Sequence, residues 1–308
     1  MARLRSRKDA TAHPESEKMA VLSEAPTHAS TKVNAAINYI RNPRQPGQEA
    51  LTFVTADERK STMITLPGVS VEIEDMRGTA TSIDVEGFEL LRHVSTVPNF
   101  DRIEEDEAID QLYIDEMTAL VKKITGAPIV IMQGGGKKRY GQKAQDKLDG
   151  LMNALPALYP HGDTTEASAV QLAMMMASFA TDVNFEDFSR WQHINLWRAI
   201  TLPPHDYPLA VCDARTLSLN DAVTVIAKTE TRATGSLEFE THGYLYNPAH
   251  RWCYFSNMNP EEVLMFKTHD SDPTHAHQVA HSAFLNSLCP PDAPTRGSVE
   301  MRAFVAYL

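Results

Sequence analysis

Apolar residues recur at three- and four-residue spacing between residues 103 and 124, at Ile109, Leu112, Tyr113, Met117, Leu120, Val121 and Ile124. That spacing predicts one buried stripe on a helix. Acids fill its first turns, Lys122 and Lys123 its last, and Gly126 follows, as the helix dipole and C-cap chemistry favour. Residues 165–180 differ: Leu172, Met174, Met175, Met176 and Phe179 make them apolar nearly all round. They predict a buried helix or a lid packed on the core. Elsewhere the period is two. Leu51-Thr52-Phe53-Val54 and Ser70-Val71-Glu72-Ile73 read as short strands, and residues 128–132 as a buried one. Residues 193–198, 238–246, 252–255 and 298–307 are strand-like, and Val263-Leu264-Met265-Phe266 is a continuous apolar run. Short strands separated by Asn-Pro, Asn-Met-Asn-Pro and Asp-Ser-Asp-Pro turns predict a mainly β protein with flanking helices. Its core is expected to be a double-stranded β-helix, of jelly-roll or cupin type.

Residues 1–31 hold no aromatic side chain. They bury too little to offset their ordering entropy and are expected to form a mobile N-terminal tail ahead of one domain over 32–308. Apolar content of 43% and charged content of 22% fit an ordinary globular protein, and a net charge of −11 argues against a nucleic-acid partner. Eight acids and one Arg lie between Asp101 and Glu116, expected as a solvated helix face. Three widely spaced cysteines (Cys212, Cys253, Cys289) fit a reducing compartment. No apolar run reaches the ~20 residues that cross a bilayer. The basic start, Arg3, Arg5 and Arg7, lacks the apolar stretch of a signal peptide and is soon followed by Asp9, Glu15 and Glu17. These features predict a cytoplasmic protein with a small-molecule substrate and no membrane partner; a homodimer is left open. Gly134-Gly135-Gly136-Lys137-Lys138-Arg139 lacks the Lys-Ser/Thr pair of a P-loop. It reads as a flexible loop that brings Arg139 near a ligand.

The candidate chemistry begins at His161-Gly162-Asp163. Residues i and i+2 of a strand share a face, so this imidazole and carboxylate can address one ion. The competing reading makes Asp163 the cap of the following helix, with Glu166 completing a capping box. A second histidine is sought among His269, His275, His277 and His281. His275 and His277 flank a polar turn and read as solvated, whereas His281 stands at the edge of an apolar strand and needs a partner. Two imidazoles and one carboxylate are the donor set of non-haem Fe(II) oxygenases. Arg296, Ser298, Glu300 and Arg302 share one face of the last strand, which is either a solvent-facing edge or the polar lining of a barrel mouth. In the second case Arg296 and Ser298 suit a carboxylate, such as that of 2-oxoglutarate. Asn195, Trp197, Arg198, Asp213, Arg215, Tyr246, His250 and Trp252 add polar and aromatic groups to the same β region.

Several blocks resemble one family in order and spacing. They are His161-Gly162-Asp163-Thr164-Thr165, Ile194-Asn195-Leu196-Trp197-Arg198, the run from Tyr207 to Arg215, the run from Tyr246 to Tyr254, His281-Ser282-Ala283-Phe284, and the run from Arg296 to Arg302. The family is that of the fungal and bacterial hydroxylase/desaturases related to gibberellin desaturase, the cephamycin methoxylation protein and the novofumigatonin endoperoxidase. The resemblance spans roughly residues 33–308. It implies an Fe(II)/2-oxoglutarate-dependent oxygenase that uses O2 for hydroxylation, desaturation or oxidative cyclisation in natural-product biosynthesis. His161, Asp163 and His281 would hold iron. Arg296, with Ser298 and Arg302, would bind 2-oxoglutarate. Arg139, Arg198, Tyr246 and Trp252 are the candidate substrate contacts. The alternatives are a metal-dependent cupin-type enzyme that does not use 2-oxoglutarate, and a non-catalytic binding protein on the same fold.

Overall fold

The structure, a computed structural model, describes residues 31–41, 51–54, 61–141, 155–179, 182–231 and 235–308. The tail expected over 1–31 lies outside these residues, Thr31 apart. Two sheets face each other. Among the described residues, the larger runs in the order β1 (Lys32–Ile37), β3 (Val69–Asp75), β12 (Trp252–Tyr254), β9 (Leu209–Cys212), β14 (His281–Ala283), β7 (His161–Gly162), β11 (Gly235–Tyr244), β10 (Ala222–Thr231), β2 (Leu51–Val54). The smaller runs β4 (Phe88–Arg92), β13 (Glu262–Asp270), β8 (Arg190–Ala199), β15 (Gly297–Tyr307), β5 (Ile129–Met132), with β6 (Lys137–Tyr140) also on β15. This is the jelly-roll architecture that the strand pattern predicts.

Strand parity sorts the side chains. On β8 and β15, Ile194, Leu196, Val299, Met301, Ala303 and Val305 turn outward and pack on helix α1 (Glu107–Thr125) through Tyr113, Met117, Leu120 and Val121. The opposite parity turns inward: Trp197 and Ala199 meet Leu264, Phe266, Leu209, Val211 and Cys253 between the sheets. Each large apolar side chain buried this way contributes roughly 1.5–3 kcal/mol. A second core, around Tyr39, Trp252, Tyr254 and Phe284, covers the outer face of the larger sheet.

Helix α1 starts later than the periodicity predicts. Glu104 is left-handed (φ 70°), and the Asp106 carboxylate caps the amides of Ala108 and Ile109. Gly126 closes the helix at φ 67°, where a Cβ would be strained. The acidic run is only partly a solvated face: Lys137 and Lys138 pair with Glu104 and Glu105. The glycine-rich segment is also more ordered than its composition suggests. It leads into β6, and a Cβ on Gly136 would sit 2.8 Å from Val299 and 2.9 Å from Ile103.

Helix α2 (Glu166–Ala177) buries Ala169, Ala173 and Met176 against Trp191, Phe304 and Ala306, the inward residues at one end of the sandwich. It closes that end as a lid does, but it is not buried all round: Met174, Met175 and Phe179 remain exposed. No described helix is long and apolar enough to cross a membrane.

Candidate metal centre

His161 and His281 are direct cross-strand partners, because short β7 lies between β14 and β11. Paired residues project to the same side, and the two rings sit 4.2 Å apart between centroids. The Tyr159 carbonyl accepts from Nδ1 of His161 at 3.0 Å, which leaves Nε2 free for a ligand. Gly162 is required by its surroundings. A Cβ there would meet Gln278 at 2.8 Å and the Tyr244 hydroxyl at 3.0 Å, so its second face is packed and not empty.

Asp163 is released from helix capping. The N-cap of α2 is Thr165, in a reciprocal capping box with Ser168. Asp163 instead turns inward, where Asn195 Nδ2 donates to Oδ2 at 2.6 Å. Its Oδ1 lies 3.2 Å from Arg302 Nη2 and 3.8 Å from His281 Nε2. One donor atom each from His161, Asp163 and His281 lies within 4.8 Å of the others. Burial opposes charge on Asp163, yet Arg302, His281, His161 and Asn195 outweigh it and hold the carboxyl well below the usual range. Burial, then the neighbouring His281, pushes His161 down to about 4. The centre therefore offers a neutral imidazole and an ionised carboxylate at neutral pH. Nδ1 of His281 is buried without a hydrogen-bond partner. Converging donors of this kind fit a divalent cation of the iron or zinc class.

Cross-strand register orders the last strand relative to this centre. Arg302 pairs with Asn195, Glu300 with Trp197, and Ser298 with Ala199. The polar face of β15 is therefore an inward lining. Arg302 bonds Glu300 at 3.0 Å and also reaches the Asp163 carboxylate. Arg296 immediately precedes β15, four residues before Trp197's partner Glu300, and is fully buried with its guanidinium 5.4 Å from the Trp197 ring centroid. Burial pushes it down to about 10, the Arg139 charge adds to that shift, and its Nε has no hydrogen-bond partner. Ser298 stands opposite Arg139 on β6.

Three expected substrate contacts are not brought to this centre. Arg198 has the outward parity of β8: it bonds Tyr113 and the carbonyls of His93 and Pro260, and lies over Phe100. Trp252 donates to the Tyr39 hydroxyl at 2.7 Å in the outer core, and Tyr246 packs edge-on against the same Tyr39 ring. His269, His275 and His277 lie elsewhere too; His275 and His277 are half-buried, not fully solvated. Conversely, Asn195 and Gln278 prove central to the supporting shell. Gln278 bonds the Thr164 carbonyl and the Tyr244 hydroxyl beneath Gly162. For Asn195 the signal lay in the sequence, as its parity on β8 matches that of Trp197.

A family profile described as "Oxidoreductase/YMDC permease-like domain" matches residues 37–306. The hydroxylase/desaturase efuI of Hormonema carpetanum is 30% identical over 294 residues, covering 90% of this chain and 96% of that protein. The Fe(II)/2-oxoglutarate-dependent dioxygenase nvfI of Aspergillus novofumigatus is 28% identical over 276 residues, covering 87% of this chain and 90% of that protein. A solved structure of the iron and alpha-ketoglutarate-dependent endoperoxidase NvfI superposes with a TM-score of 0.77 at 24% identity, covering 91% of this chain and 99% of that one. That likeness speaks to the fold. With the profile spanning most of the sequence and efuI matched over nearly its whole length, this chain belongs to that oxidoreductase family, together with hydroxylase/desaturases and Fe(II)/2-oxoglutarate-dependent dioxygenases.

Proposed function

We propose that this protein is an Fe(II)/2-oxoglutarate-dependent dioxygenase in which His161, Asp163 and His281 hold the iron. Arg296, with Ser298, anchors the far carboxylate of 2-oxoglutarate. The enzyme oxidises a small organic molecule of natural-product metabolism by hydroxylation, desaturation or oxidative cyclisation. One observation carries this reading: three donors converge within 4.8 Å between the sheets, on the same inward lining as a buried guanidinium with an unmatched donor. An orphaned buried donor is costly, and a carboxylate is the partner whose planar geometry matches it. The positive charge of Arg139 nearby further suits a dianion.

Bound iron, with 2-oxoglutarate and O2, supplies the oxidising chemistry. The chain's own part is positioning. The Tyr159 carbonyl orients His161, while Asn195 and Arg302 hold the two oxygens of Asp163 in place. Such supporting bonds commonly tune metal affinity by roughly 10–100-fold. Arg302 is assigned to Asp163, leaving Arg296 for the co-substrate. Helix α2, seated on Trp191 and Phe304, covers one end of the sandwich.

Two measurements test the reading. Anaerobic Fe(II) titration should show a bound ion that Asp163→Ala removes. In air, the protein should convert 2-oxoglutarate to succinate, and the same variant should not. Fe(II) uptake unchanged by Asp163→Ala would overturn the metal assignment. Substrate turnover without succinate would overturn the co-substrate.

A further inference from the structure

A second set of donors lies one strand level away, where α2 starts. The carboxylate Oε2 of Glu166 is 3.3 Å from Nε2 of His277 and 3.8 Å from Nδ1 of His269. One donor atom from each of the three lies within 4.8 Å of the others. The histidines are firmly placed. His269 faces His193 across β13 and β8 and stacks on Trp191 at 4.6 Å between centroids. His277 gives its Nδ1 hydrogen to the Asp270 carbonyl at 3.0 Å.

That last bond matters for the chemistry. With Nδ1 committed to the Asp270 carbonyl, Nε2 is the nitrogen His277 turns to Glu166. A proton or a metal ion can sit between that nitrogen and the carboxylate. His269 is the buried member: its side chain is 2% exposed, and the nitrogen it turns to Glu166 is Nδ1. A buried imidazole nitrogen held against a carboxylate at that distance can serve as a metal ligand.

We propose that Glu166, His269 and His277 form a second metal site, separate from the His161–Asp163–His281 centre, for a borderline divalent ion such as Zn(II). Two imidazoles and a carboxylate are a known zinc donor set. Donor atoms at ~2.0–2.2 Å from a tetrahedral ion stand roughly 3.3–3.6 Å apart, and the distances from Glu166 to His277 and His269, 3.3 and 3.8 Å, lie close to that span. Glu166, with its side chain 69% exposed, can adjust to the ion. Water takes the remaining position, or His242, whose Nδ1 is bonded to Gln278 Oε1 at 3.0 Å. The ion would clip the first turn of α2 to β13. Glu166 follows Asp163 by three residues, so the clip also steadies the segment that carries His161 and Asp163.

The probe is Co(II), in equilibrium dialysis with the full chain. With Asp163→Ala and His281→Ala in place, the protein should still bind one Co(II). Adding Glu166→Gln or His277→Gln should weaken that binding at least tenfold. Zn(II) should compete for the same ion and raise the melting temperature of this background, an increase that Glu166→Gln abolishes. In the otherwise native chain, Glu166→Gln alone should lower the Co(II) content by one, whatever the state of Asp163. Co(II) content and affinity unchanged by both Glu166→Gln and His277→Gln would overturn the site, leaving a proton-mediated Glu166–His277 pair. The Asp163 variants report on the first centre and the Glu166 variants on the second, so either can fail alone.

Discussion

Two clusters in this molecule offer the same donors, two imidazoles and one carboxylate, and they differ in what holds the carboxylate. In the first, the side chain of Asp163 is 9% exposed and tied at both oxygens, by Asn195 and Arg302. In the second, Glu166 is 69% exposed and sits on the first turn of a helix. The first also shares its inward lining with buried Arg296, whose guanidinium lies 5.4 Å from the Trp197 ring centroid. Donor identity sets which ions a site prefers, whereas the surroundings set what an ion there can do. Pinned, desolvated donors beside a cationic anchor suit a site that must chelate a dianion. An exposed carboxylate suits a clip.

The largest expected contrast is between the two carboxylates. Asp163→Asn keeps the shape and deletes the anionic ligand, so Fe(II) affinity in anaerobic titration should fall by roughly 100-fold or more, beyond the range of supporting-shell changes. Glu166→Gln should leave that Fe(II) affinity within a factor of about 3. Equal losses in both variants would erase the distinction drawn between the clusters.

Arg296→Ala should weaken 2-oxoglutarate binding, read by calorimetry with the metal in place, by about 2–5 kcal/mol, the usual cost of removing one partner of a buried charge pair. Metal binding should be unaffected. Loss of both would move Arg296 into the metal's own support.

His193 lies between the clusters, paired with His269 and one strand position from Asn195's neighbour Ile194. Its Nε2 faces the Ala169 carbonyl at 3.0 Å, and its Nδ1 accepts from Gln133 at 2.8 Å, an arrangement that needs the neutral ring. Burial pushes its pKa down to about 4. The unfolded chain takes up this proton below about pH 6.5, and the folded one does not until about pH 4. The stability is therefore present above 6.5 and lost as pH falls towards 4, by about 3 kcal/mol for this one group. His193→Gln should flatten the fall of melting temperature over that interval; an unchanged slope would show that the ring is not held neutral.

The smallest effect concerns the strand that joins the donors. Gly162→Ala drives a methyl into Gln278 and the Tyr244 hydroxyl, and overpacking of this kind costs about 1–3 kcal/mol. Because Gln278 also bonds the Thr164 carbonyl, the metal affinity of the first centre should fall along with stability in chemical denaturation. Wild-type values for both would mean that the packing beneath His161 is soft.

Much of this was legible along the chain. The stripe of α1 and its Gly126 stop follow from local chemistry, although Asp106 moved the start, because a side-chain cap outcompetes one more turn of helix. The polar parity of β15 was also plain, from Arg296 to Arg302. Its meaning was not, since a polar face reads alike towards water and towards a lined cavity. Trp197 and Arg198 show the same limit. Adjacent residues on a strand must face opposite ways, and only the placement of α1 says that Arg198 is the outward one, bonded to Tyr113. The distinction between Asp163 as cap and Asp163 as inward carboxylate turned on two residues, because Thr165 took the cap.

The sequence by itself determined the family and the β architecture and nominated His161, Asp163 and His281 as donors, because these rest on local spacing and on the order of short blocks. Tertiary structure alone decided that Arg302 reaches Asp163 while Arg296 lies further along the lining, and that Glu166 meets His269 and His277. Those relations join residues more than a hundred positions apart. They are set by which rows of two strands stand opposite each other, and strand register is a property of the assembled sheet.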